Sequence, residues 1–388
     1  MLNFKLNPIE RFLCLCIRHI DYLNVKEIKS LYISIGDESA FKYAKINGVS
    51  SIVAHSLITI FGKDNIPSHW KFEYESVEEK ITSYMDELET VAALLDKHNI
   101  KLLALKNSGI TKGLYPHYGS CPMGDVDVLV SKNVFRQAHE ILTIAGYKLK
   151  FRSPLEEDNI EAAEHGGGAE YSVQLADGKH LWFELQWRPV AGRWIQPGQE
   201  PKADDLIECS KAISGSKVRL LAPEDNLLQV ALHTAKHSYV RAPGFRLHTD
   251  VDRIVTEENI DWDIFVSKVL KLKLKTSVYI SLCMAKVLLD SPIPPQVLTK
   301  IKPGTLKLSI MNKWLERVGI FEPDSPKWSK FGYIVFVCML YDDLFDFFKG
   351  TFPSSKQLKD DYHFSNSLLL PYYHIKRLYS LLFKRVNT

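Results

Sequence analysis

The segment Gly124-Asp125-Val126-Asp127-Val128-Leu129-Val130 constrains this chain more than any other. Its period of two predicts a β-strand over 125–130. Val126, Val128 and Val130 fall on one face, and Asp125, Asp127 and Leu129 on the other. The valine face requires a core. The two aspartates then point the same way, roughly 6–7 Å apart along the backbone. Like charges this close raise each other's pKa unless a cation sits between them. Mg²⁺ takes a few carboxylate oxygens together with water and phosphate. Two such ions about 3.5–4 Å apart can clamp the attacking and leaving oxygens of a phosphoryl transfer. A solvated strand can carry the same D-x-D pattern, so its surroundings decide.

Those surroundings add chemistry. A third acid, Glu184, lies in a second apolar strand, 181–187, where Trp182, Glu184 and Gln186 share one face. Residues 171–175 and 180–187 predict a hairpin about Asp177-Gly178, read as a two-residue turn. Upstream, 101–105 reads as a short buried strand, Ser108-Gly109 as a turn and 110–115 as a short helix. Backbone N–H groups in such a strand–turn–helix can hold a phosphate. Residues 134–145 predict a helix ended by Gly146. Gly166-Gly167-Gly168 has no strand-then-helix context and reads as a flexible loop before the hairpin.

The flanks are helical. Apolar residues recur at three- and four-residue spacing over 9–20 and 41–61. Over 76–98, Ile81, Tyr84, Met85, Leu88, Val91, Leu94 and Leu95 form one core-facing stripe. From Pro223 the chain is helical again, with Glu224 and Asp225 at the positive end of the dipole. There His233, Lys236 and His237 share a face, either to contact phosphates or an acceptor or to pack with a solvated lysine. Trp182, Trp187 and Trp194 gather near the acids in sequence and suit stacking or core packing. The tail, 374–385, is basic and amphipathic and reads as a docked helix, the alternative being contact with a membrane surface or an acidic partner. The outline is α+β, with a helical segment over 1–99, an α/β core over 100–220 and a helical domain over 221–388.

Composition removes several classes. Of 388 residues, 46% are apolar and 24% charged, which excludes disorder over most of the length. Lys+Arg 49 against Asp+Glu 46 leaves +3, which argues against a polycationic nucleic-acid binder. The six cysteines are scattered without C-x-x-C, as expected of reduced thiols in a cytoplasmic protein. Glu10 and Arg11 interrupt the start, so it does not read as a signal peptide. The most apolar run, 333–340, is far short of the about 20 residues a membrane span needs.

The layout resembles the DNA polymerase β-type nucleotidyltransferase superfamily, whose core has a G-[GS] turn after its first strand, a D-x-D strand and a third acid on a later strand. Within it, the chain is similar to a broad family of uncharacterised bacterial nucleotidyltransferases, nucleotidyltransferase family 5. The family's "gI-x-x-l-x-LKG" segment resembles Asn99–Asn107, and its "Y-P … G-x-R-P-M-x-D-I-D-L-L-V" signature resembles Tyr115–Val130. Its "E-L-H-W" strand resembles Glu184–Trp187, and its H-x-x-x-H helix resembles His233–His237.

The resemblance implies a small polymerase β-like mixed sheet flanked by N- and C-terminal helical segments. It implies that Asp125 and Asp127 bind metal and that Glu184 completes the triad and serves as base. Lys106 would sit beside the triphosphate, and Asn107, Ser108 and Gly109 would form the phosphate turn. Lys236 and His237 would reach the nucleotide. The implied cofactor is Mg²⁺ or Mn²⁺ and the implied substrate an NTP, whose NMP passes to an acceptor hydroxyl or phosphate with release of pyrophosphate. The acceptor would be a peptide, glycan or small molecule rather than nucleic acid. Three positions depart from the family: Asn107 replaces a Gly, Cys121 an Arg and Gln186 a His. Two rival readings are a transferase using a nucleotide-sugar donor on a peptide natural product, and a non-catalytic nucleotide-binding pseudoenzyme.

Overall fold

The computed structural model describes residues 5–153, 158–190, 195–238, 244–321, 330–362 and 364–379. Seven strands among them form one mixed sheet: β1 (Leu102–Ala104), β2 (Asp125–Leu129), β3 (Lys148–Leu149), β4 (Gly168–Gln174), β5 (His180–Gln186), β6 (Lys211–Ala212) and β7 (Val218–Leu220). Their order is β3-β4-β5-β2-β1-β7-β6. β2 pairs parallel with β5, and β1 with β7, while the other neighbours are antiparallel. With its helical flanks, the fold is α+β.

Alternation along β2 and β5 sorts the two faces. Val126, Val128, Val130, Leu181, Phe183 and Leu185 enter one core with Tyr84, Leu88, Phe135 and Leu142. Each such side chain withdrawn from water contributes about 1.5–3 kcal/mol. The helix Ser68–Asp96 lays the expected stripe over this face. It begins eight residues before the predicted start of 76. Trp70 extends its buried face, with the indole N–H donating to Asp37 Oδ1 at 2.7 Å. The opposite face of the sheet carries a small cluster that includes Leu103, Leu129 and Leu221. Beyond it lie the acids.

A second core belongs to helices from both ends of the chain. Phe12, Leu13, Val53 and Trp70 join Leu228, Phe245, Leu282 and Leu340 in one cluster. His19 fastens the two ends together. Its backbone N–H donates to Asp252 Oδ2 at 2.8 Å, and its Nε2 lies 2.6 Å from Glu257 Oε1. No helix among the described residues is long and apolar enough to cross a membrane.

Local expectations change in three places. The 41–61 pattern is two helices, Asp37–Ile46 and Ser50–Phe61, because Gly48 between them takes φ +64°. The hairpin turn holds three residues rather than two. Leu175 N–H donates to Lys179 O at 2.8 Å across Ala176-Asp177-Gly178, with Gly178 at φ +82°. That is a turn closed by a left-handed residue. The glycine triplet is no loop: Gly166 ends the helix Ile160–Gly166, Gly167 caps it at φ +104°, and Gly168 opens β4. Of the tail, Leu370–Tyr379 is helical, and 380–385 lies outside the described residues.

Candidate active site

β2 and β5 lie side by side with Asp127 opposite Glu184 and Asp125 opposite Trp182. Parallel neighbours in register point their side chains the same way. Asp125, Asp127 and Glu184 therefore share a face, and one oxygen from each lies within 4.8 Å of the other two. Asp127 is buried, while Asp125 and Glu184 are half-buried. The donor set is all carboxylate oxygen, which suits a hard divalent cation.

The chain also places its own cations among these acids. Lys106 Nζ sits 2.6 Å from Asp127 Oδ1 and 3.8 Å from Glu184 Oε2. Arg152 Nη1 donates to Asp125 Oδ2 at 2.6 Å. The same guanidinium holds Glu170 through Nε at 3.0 Å and lies 5.7 Å from the Trp182 ring centre. Glu170 faces Glu184 directly across the β4–β5 pair, so Arg152 bridges two acids of one face. Burial opposes the charge on Lys106, yet Asp127, Glu184 and Asp125 hold its ammonium above the ordinary value. Burial, reinforced by Glu184 and opposed by Lys106, raises Asp127 to about 7.

The first turn of the helix Lys106–Gly113 fixes this geometry. Lys106 adopts φ +51°, so the left-handed position falls on the lysine and not on Asn107, where the departure from Gly suggested it. Its N–H donates to Gln229 Oε1 at 3.2 Å. Ser108 Oγ accepts the Asp127 N–H at 3.0 Å, locking the helix to β2. Asn107 Nδ2 donates to Pro122 O at 3.3 Å, and its Oδ1 accepts from Thr111. Gly109 lies against β1, where a Cβ would stand 2.9 Å from the Ala104 carbonyl oxygen.

Other expected residues find different places. His233, Lys236 and His237 come from the helix Pro223–His237 and line one small pocket with Lys106, Gln229 and Pro189. Gln186, in place of the family's His, donates from Nε2 to Asp127 Oδ1 at 3.1 Å. Cys121 is buried, and Arg253 from the helix His248–Glu257 donates to its sulfur at 3.4 Å. A guanidinium thus reaches this position from elsewhere in the chain. The tryptophans do not gather: Trp182 lies under Arg152, whereas Trp187 at the far end of β5 donates to Glu164 O at 2.7 Å. Trp194 lies outside the described residues.

Sequence reasoning missed Arg152 and Gln229. Glu170, alternating outward on a strand opposite Glu184, was the available signal that a further cation was needed. Nothing local marks Gln229, which is one of several buried polar residues in its helix.

No curated protein and no solved structure matches the chain. A family described as uncharacterised nucleotidyltransferase matches residues 34–290. That span holds the three acids, Lys106, Arg152 and the helix bearing His233 and His237. With about two thirds of its length so matched, and with a D-x-D strand and a third acid converging on one face, the chain belongs to this nucleotidyltransferase family.

Proposed function

We propose that the protein transfers a nucleoside monophosphate from an NTP to an acceptor hydroxyl or phosphate. The register of Asp127 against Glu184, with Asp125 two residues away, carries this reading. The three carboxylates would hold Mg²⁺ or Mn²⁺. Bound there, the ion would offset charge on the triphosphate and acidify an acceptor hydroxyl. An acceptor oxygen forms the new bond to the α-phosphorus. The bond from that phosphorus to the α–β bridging oxygen breaks, and pyrophosphate leaves with the electron pair. Glu184 takes the proton of a hydroxyl acceptor.

Lys106 and Arg152 pair with these acids. With the acids committed to a divalent ion, Lys106 and Arg152 would be left to bind the phosphates. Lys236 and His237 flank the nucleotide on one side and the backbone of Asn107, Ser108 and Gly109 on the other. The reading includes a cytoplasmic location, in keeping with free thiols at all six cysteines.

The Lys106–Asp127 contact also favours a second reading. A lysine seated within the triad is what a nucleotide-binding protein without turnover would keep. Incubation with each α-³²P-labelled NTP and Mg²⁺ or Mn²⁺ separates the two. Label transfer and pyrophosphate release should fall at least about a hundredfold in Asp125→Asn/Asp127→Asn, since the metal-held charge is worth several kcal/mol. Transfer that survives the double substitution overturns the assignment. Nucleotide binding without turnover in the unaltered protein selects the second reading.

A further inference from the structure

A cleft of about 990 Å³ opens past the end of β5, where Trp187 lines it; none of the three acids does. Pro189 belongs both to its wall and to the small pocket that Lys106 and His237 line. Gln229 ties the two spaces together, donating to Pro189 O at 3.0 Å and accepting the Lys106 N–H at 3.2 Å. Cleft volumes of this order suit a small organic ligand.

The charges in its wall are unevenly matched. Arg136 is paired with Glu161 and Glu164, and Arg188 with Glu200. Lys132, Lys202 and Lys349 also line the cleft, and none has a carboxylate partner among the described residues. Against them stands Asp204. Two rings add apolar surface. Trp187 is held through its N–H to Glu164 O, with Lys132 Nζ 4.3 Å from the ring centre, and Phe352 is 46% exposed. Lysines act as point charges toward phosphate. Indole and phenyl faces suit the apolar face of a sugar ring.

We propose that this cleft is the acceptor site and that the acceptor is a phosphorylated carbohydrate. Its phosphate rests among Lys132, Lys202 and Lys349, and its ring lies against Trp187 and Phe352. The proposal builds on the nucleotidyl-transfer reading, but the binding can be measured apart from it, with neither metal nor nucleotide present.

The test titrates the full chain with glucose 1-phosphate, glucose 6-phosphate and a phosphorylated disaccharide, against glucose and inorganic phosphate, by calorimetry and tryptophan fluorescence. At least one sugar phosphate should bind more tightly than either control. The fluorescence change should vanish in Trp187→Phe. Lys202→Glu/Lys349→Glu should weaken binding at least about tenfold. Asp125→Asn/Asp127→Asn should leave it unchanged, so failure of transfer with intact binding counts against the transfer reading alone. The proposal falls if no sugar phosphate binds, if the charge-reversed protein binds as well as the original, or if inorganic phosphate matches the sugar phosphates. It also falls if ATP displaces them, since the cleft would then hold the donor.

Discussion

Lys106 carries its ammonium into a buried site and holds the central acid there. Breaking a buried pair by removing one partner costs about 3–5 kcal/mol, because the other charge stays desolvated. Lys106→Met should therefore lower stability in urea by about that amount without divalent ions. Added Mn²⁺ should restore more of it than the same ion adds to the unaltered protein. Equal stabilisation of both proteins by Mn²⁺ would mean that lysine and metal do not share the triad. The acids themselves were legible, because a strand with a valine face has no packing reason for two aspartates opposite. The roles of their neighbours were not. Ser108 reads as a turn residue, yet its hydroxyl receives a backbone N–H from the next strand. Arg152 comes from a connecting segment, and its partners Asp125 and Glu170 meet only after β4 pairs with β5.

At the scale of elements, the helix Lys106–Gly113 reaches the sheet because Gly109 has no side chain. A methyl there would meet the Ala104 backbone oxygen at 2.9 Å, and a backbone atom cannot rotate aside. Gly109→Ala should cost about 1–3 kcal/mol by chemical denaturation, as overpacking does. Gly124→Ala, where nothing lies within 4 Å, should stay within about 0.5 kcal/mol. A near-neutral Gly109→Ala would show that the helix is free to move off β1. The acid strand, the hairpin arms and the long amphipathic helix were all legible from local periodicity. Loop lengths and helix breaks were misjudged where a single left-handed glycine decides. Gly48 divides one helical pattern, Gly178 lengthens a turn, and Gly167 converts a supposed loop into a helix cap.

Across the whole molecule, the shared helical core sets the response to acid. Burial, with His117 and Arg253 nearby, lowers His55 to about 3, and burial lowers His248 to about 3. Both values lie below the 6.5 of an unhindered histidine, so the unfolded chain takes up protons that the folded chain refuses. The stability they confer is complete above 6.5 and drains away as pH falls toward 3. The slope per histidine is about 1.4 kcal/mol per pH unit. Asp127, raised to about 7, gains stability over the same range and offsets part of this loss, so the readout is a difference: between pH 7 and pH 5 the urea midpoint of His248→Asn should fall less than that of the unaltered protein. An unchanged slope would exclude His248. The helix–sheet–helix outline was readable in the sequence, but the joining of residues 12–70 to 227–340 was not, because periodicity reports a face and never names what covers it. That joining has a consequence for biosynthesis. The first helices leave the ribosome long before Leu228 and Leu282 exist, so they wait with an uncovered apolar side while the sheet and its acids are already complete. A chain cut after residue 220 would thus carry all three carboxylates but lack Gln229, which accepts the Lys106 N–H, and His237.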